Sequence, residues 1–508
     1  MTDFTDSLDN PDASRILLAE IKVYSGGSET TRYLGSHQLN TGSGDTPANK
    51  QYDSRLKGSP EFSVDMTDVF TGRTRVGFGD LLIDNSDGEL DSWVDDAFDG
   101  RDITLKLGEP EWTISQFGTI LSGTIEKLEV VDDSTLRLII RDKQKLIDIP
   151  LNTNLIGGTD DYKDSPKPIC YGEVFNILPV PIKTSTRKYQ VHDGAINAFV
   201  AVYDNGITLT LGTAHANETA LDGATVTAGQ YDTCLSTGMF RLGSTPAGTV
   251  TADTKGEATT SYLSKPGEII RDIITNLGPL TDPTDLDTTA FTNIDTDAPY
   301  TMGFYARDRR NMLDVIDEFV KSIGAFYGFD RSGKFTLAQF KDVSGTPVMT
   351  IDGNTELSGD LAVKQIIVPV HRVRLGYKKN WTIQLGDGLA SAVTDAQRAF
   401  LETEYRTESD NDATVKTTHL LARDPDLNGT LITTSANAST EASRQLTLNK
   451  TQRIVYQINA FSAPFQLNLN DVVTLKDSRF GLESGVDCRV VGYRERYLDN
   501  QIELTLWK

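Results

Sequence analysis

The hydrophobic period of this chain changes twice, and no single-layer fold accommodates both changes. Up to about residue 150, apolar residues alternate with polar ones, as on strands that bury one face. Between 262 and 345 the spacing lengthens to that of a helix. Ile269, Ile270, Ile273, Ile274 and Leu277 share one face; Met312, Leu313, Val315, Ile316, Phe319, Val320 and Ile323 form a second, wider one. After 345 the alternation returns. With 508 residues the chain also exceeds one hydrophobic core, so several domains are expected.

These changes predict a mainly β, multi-domain chain with an α/β insert. Residues 1–150 read as a first β-barrel and 346–508 as a second, each strand-rich enough to close. Residues 151–261 read as a turn-rich β insertion, and 262–345 as a helix–helix–hairpin support unit. The clearest hairpin is at 120–140. There Ile125, Leu128 and Val130 precede an Asp132-Asp133-Ser134 turn, and Leu136, Leu138 and Ile140 alternate with Arg137 and Arg141. Asn205-Gly206 between Val202-Tyr203 and Ile207 predicts another. Ser264 reads as the cap of the first helix, and Gly278-Pro279 as its stop. The second helix ends at Gly324, followed by a hairpin turning at Asp330-Arg331-Ser332-Gly333.

Charge narrows the function. Seventy-two acidic against 49 basic residues give a net charge of −23, which repels phosphate backbones, so no specific nucleic-acid reader is expected. Met1 to Arg15 has no apolar core, so no secretory signal is expected, and no run approaches a membrane span. Cys170, Cys234 and Cys488 are far apart and form no CxxC or Cys/His ligand spacing; they read as buried free thiols.

Motifs for catalysis are missing. No two of His37, His192, His215, His371 and His419 are four residues apart, so a helical histidine metal pair has no local support. There is no GxSxG elbow, no Walker loop and no GxGxxG opening a helix after a strand. A Cys–His pair assembled in space remains open to sequence reading, although no cysteine has a nucleophile's context. The acidic run Asp84 to Asp91 suggests a calcium loop, but its glycine register puts Ile83 at the first ligand position. A turn capping a short helix at Trp93 is expected instead. No catalytic, cofactor or metal residues are assigned.

The order of several motifs resembles the hub proteins at the tail tip of long-tailed bacteriophages. They are Asp84 to Leu90 with Gly100-Arg101; Lys167-Pro168, Tyr171-Gly172 and Asn176 with Tyr189 to Gly194; Gly238 to Gly243 with Pro246 to Gly256; and Leu469 to Val473, Phe480 to Leu482 and Cys488 to Gly492, closing on Leu506-Trp507. The likeness covers about residues 60–508 and extends to the T-even baseplate hub and to lambda-type tail tip proteins. It implies a non-enzymatic structural protein of the virion tail tip, folded in the host bacterial cytoplasm. Such a homotrimer adapts a six-fold tail tube to a three-fold tip and forms part of the DNA ejection conduit. Implied partners are a distal tail protein hexamer, the tape measure protein C-terminus, and tail fibre or receptor-binding components, with phage DNA passing transiently. The alternative is a virion-borne or secreted polysaccharide-binding or polysaccharide-degrading β-protein.

Overall fold

Gly26 and Gly27, both in the left-handed region, turn the chain tightly enough for Ile16–Ser25 to fold back on Ser28–Gly35. This hairpin is the middle of a nine-stranded sheet. The structure, a computed structural model, describes residues 4–58, 60–66, 70–158, 162–355 and 361–508. On one side of Ile16–Ser25 the sheet continues through Asp102–Gly108, Gly118–Asp132, Thr135–Arg141, Leu81–Asp84 and Leu56–Lys57. On the other side of the hairpin lie Gln51–Ser54 and Leu39–Asn40. The expected hairpin at 120–140 is present. Leu136, Leu138 and Ile140 are buried, and the Asp132 carboxylate accepts the Ser134 amide across the turn.

Next come two five-stranded sheets. Val250–Glu257 lies between Ile196–Asp204 and Ile169–Ile177 in one of them, and Lys188–Gln190, Met239–Leu242 and Gln230–Cys234 form the centre of the other. The Asn205-Gly206 turn is as expected, with both residues at positive φ and Asp204 opposite Ile207.

Helices Pro266–Asp272 and Met312–Ser322 bury their apolar faces in one cluster with the hairpin Ala325–Phe329/Phe335–Gln339. The helix–helix–hairpin reading needs three corrections. A further helix, Thr288–Asp297, lies between the two; its threonine-rich sequence is a weak helix former, and packing of Ala290, Phe291 and Ile294 together with the Asp287 cap holds it. Gly303–Ala306 forms a strand that joins the insertion's sheet beside Ile169–Ile177. Lys265 rather than Ser264 occupies the N-cap: Pro266 starts the helix, and Glu268 reaches back to both preceding amides at 3.4 Å.

The last large sheet runs Thr350–Ile351, Val472–Leu475, Val486–Arg496, Gln501–Trp507, Arg453–Ala460, Ala362–Ile367. Two strands from early in the chain, Glu61–Asp65 and Arg75–Phe78, extend it by pairing along Val486–Arg496. The chain is thus mainly β and multi-domain. Among the described residues, however, neither large sheet closes into a barrel. The first ends in two-residue strands, too short to seal a seam, and the last leaves Ala362–Ile367 as a free edge. Their apolar residues instead form one continuous cluster, in which Tyr497 meets both Phe62 and Phe465. The N-terminal segment ties the ends together. Arg15 bonds Asn500 and Ser462, and Asn500 donates to the carbonyls of Pro11 and Ala13.

Phe319 is fully buried between Phe304 and the helix core. Phe319→Ala is expected to lower unfolding free energy by about 3–5 kcal/mol in chemical denaturation. A loss below about 0.5 kcal/mol would show that this face is not core.

Candidate functional site

A dense polar junction forms at the tip of the hairpin turn at 330–333. Gly333 is at positive φ, and a Cβ there would come within 2.8 Å of Ser122 in the first large sheet. Asp330 closes the turn by accepting the Lys334 amide at 2.9 Å. This geometry drives Arg331 into the last large sheet. Its two terminal nitrogens donate to Glu495 at 2.7 and 2.6 Å, to the Tyr497 hydroxyl at 3.0 Å and to the Leu467 carbonyl at 2.8 Å. The guanidinium lies 4.6 Å from the centre of the Tyr493 ring, and Glu495 is only 1% exposed. Burial opposes the charge on Arg331, but the adjacent Glu495 carboxylate prevails and holds the guanidinium charged well above its ordinary range. The hairpin of the helical unit is thereby fixed to both large sheets at one point.

The acidic run after Leu82 is engaged by cations of its own chain. Arg55 grips Asp87 through two nitrogens at 2.9 and 2.7 Å and holds its carboxyl at about 2, and Lys57 pairs with Asp84 at 2.8 Å. Asn85 bonds Asp91 and the Leu90 amide, leading into the short helix Asp91–Asp95, which buries Trp93. Among the described residues no group of three or more His, Cys, Asp or Glu side chains is placed to hold a metal ion.

Cys170 and His192, which sequence could not pair, do meet. The Cys170 amide donates to His192 Nδ1 at 2.9 Å, and His192 Nε2 is 2.7 Å from Glu257. The ring therefore carries its proton on Nε2 when neutral, and both nitrogens are occupied. The Cys170 thiol points elsewhere, to the Thr254 hydroxyl at 3.4 Å, and burial pushes it up to about 12. A thiol in this state is neither deprotonated nor beside a free base, so the trio cannot work as a nucleophile, base and orienter. Next to it the Tyr171 hydroxyl donates to Asp272 at 2.6 Å, joining the insertion to the first helix. His215 pairs with Asp232 at 2.8 Å, and His371 lies 3.4 Å from Asp424; His37 is exposed and His419 half-buried.

Thr210–Ala214 is exposed along its whole length at the end of its sheet. Ala362–Ile367 ends the last large sheet, with Ile366 56% exposed and Val368 just beyond it also exposed. Such edges present unpaired amides and carbonyls that another strand can complete. Neither edge nor the Arg331 junction is marked in the sequence beyond the apolar run Ile366 to Val368 and the lone arginine in a Gly-turn.

No family model matches this chain, and no curated protein does. Among solved structures it is similar to a tail protein from Neisseria meningitidis, at 10% identity and a TM-score of 0.38, covering 96% of each chain. It is also similar to a prophage MuSo2 tail protein from Shewanella oneidensis, at 9% identity and a TM-score of 0.37, covering 97% of this chain and 96% of that one. A prophage tail protein from Listeria monocytogenes aligns at 8% identity and a TM-score of 0.39, covering 97% and 94%. At these TM-scores the traces superpose only loosely.

Two outcomes are expected. Arg331→Met, which leaves the buried Glu495 without a counter-charge and with only the Tyr497 hydroxyl donating to it, should cost about 3–5 kcal/mol in denaturant unfolding, and adding Glu495→Met should recover part of that loss. A double variant no more stable than the single would contradict the assignment of the cost to an orphaned charge. All three cysteines are buried, so a thiol reagent at pH 8 should label none of them until the chain unfolds. Rapid labelling of native Cys170 would contradict the geometry above.

Proposed function

We propose that this chain is a non-catalytic structural hub of a long-tailed phage tail tip, acting as a homotrimer. The observation supporting this reading most is the pair of large open sheets, one from each end of the chain, fastened by the Arg331 junction and sharing one apolar cluster. Two sheets per chain give three copies six sheet positions around an axis, the arrangement needed to meet a six-fold tube. The exposed apolar edge at Ala362–Ile367 suits contact with a neighbouring copy. In this reading the chain divides at 1–150, 151–261, 262–345 and 346–508, with the helical unit outside the tube wall as a support. The distal tail protein ring, the tape measure C-terminus and fibre or receptor-binding components are its partners, and phage DNA passes through without lasting contact. The −23 charge accords with such passage, since an acidic wall disfavours a held polyanion.

Mass photometry of the purified chain should give three times the 55.7 kDa monomer mass, and Ile366→Glu should shift the population toward monomer. A wild-type protein that stays monomeric at micromolar concentration would contradict the trimer. Duplex DNA should not bind the assembly at physiological salt. Submicromolar binding that weakens steeply with added salt would show that the surface grips DNA and would remove the conduit from this reading.

A further inference from the structure

A cleft of about 540 Å³ lies between the insertion and the helix Asp395–Leu401, away from the Arg331 junction and the large sheets. Its walls include Phe175, Val200 and Phe400, and its polar lining includes Glu173, Asn176 and Lys378. The volume and the mixture of apolar wall with a few polar groups are those of a small-molecule site.

Two lining residues hold backbone conformations that side chains rarely adopt: Asn176 at φ 53° and Lys378 at φ 47°. Outliers of this kind persist where the surroundings over-determine them, and they concentrate at ligand sites. The Lys378 ammonium is 4.6 Å from the centre of the Phe175 ring and 5.5 Å from that of Phe400, with no carboxylate within ion-pair distance among the described residues. Asn176 is fully buried. Its amide nitrogen is spent on Asn380 and Thr382, while its Oδ1 accepts from no group among the described residues. The Asp253 carboxylate already accepts from the Asn176 backbone N–H at 2.6 Å and the Tyr203 hydroxyl at 2.8 Å. Gln397 caps its own helix through its oxygen, which leaves its amide nitrogen to donate.

Donors (Lys378, Gln397) and acceptors (Glu173, Asn176) thus line one cleft together with an apolar wall. An anion would face Glu173 and Asp253, and a cation would face Lys378. A neutral molecule with several hydroxyls and an apolar face suits both sets at once. We propose that this cleft binds a neutral saccharide of one or two rings, Lys378 and Gln397 donating to its oxygens and Glu173 accepting from its hydroxyls. This does not depend on the hub reading.

The test is saturation-transfer NMR on the full chain with glucose, galactose, rhamnose and N-acetylglucosamine, each at about 10 mM, and with acetate and inorganic phosphate as anionic probes. At least one sugar should receive saturation. Its affinity should fall about tenfold or more in both Lys378→Met and Glu173→Gln. Thermal unfolding confirms that each variant is folded, and Val200→Trp, at the exposed rim, blocks the cleft without touching the buried groups. Leu421→Ser, at an exposed position outside the cleft lining, should bind as wild type. Transfer to none of the sugars, equal binding in the folded variants, or preferential binding of acetate or phosphate would each overturn the proposal. A monomeric protein that still binds sugar in this way would leave it standing while the trimer fell.

Discussion

A guanidinium buried in a β-sheet is tolerable only when its charge is matched, and Arg331 finds a carboxylate at the junction of three parts of the chain. Glu495 supplies the charge, Tyr497 and Leu467 take the remaining donors of the two terminal nitrogens, Tyr493 covers the plane, and Nε alone has no partner among the described residues. Pairs of this kind contribute less to net stability than to fixing one arrangement, because an imperfect fit would strand a charge in a low-dielectric interior. The hairpin that carries Arg331 emerges directly from the helical core, so the orientation of the helices is set relative to both sheets. Gly333 makes the close approach to Ser122 possible. The Arg15–Asn500 contacts act at the far ends of the chain in the same sense.

What was legible in the sequence was local. The hairpin at 120–140 and the Asn-Gly turn at 205–206 are written in alternation and turn chemistry within a dozen residues. The helix Met312–Ser322 is equally plain, with seven buried side chains on one face. What was not legible was pairing at a distance. Nothing in Phe62 to Asp65 says that its partner is Tyr493 rather than a neighbour in the first quarter, since an alternating strand suits any sheet. The failure of the barrels to close is of the same kind, because closure depends on which edges meet. The helix Thr288–Asp297 escaped for another reason: its residues prefer other states, and tertiary burial of Phe291 and Ile294 overrides them.

The candidate site divides likewise. No cysteine has a nucleophile's context in the sequence, and where Cys170 meets His192 the amide, not the thiol, faces the ring. The acidic run at 84–91 is answered by Arg55 and Lys57, both far enough upstream that only the fold brings them together. The aromatic pair around Lys378 joins residues more than two hundred positions apart, with no signature in either segment. Long-range charge and aromatic complementarity is therefore the part of this molecule that only a structure displays.

A place for this chain at a tail tip is tested most directly by imaging. Cryo-electron microscopy of intact tails, with the chain carrying a gold-labelled tag, should show three labels in one ring at the tip. Labels along the tube or in the head, or their absence from purified tails, would contradict it.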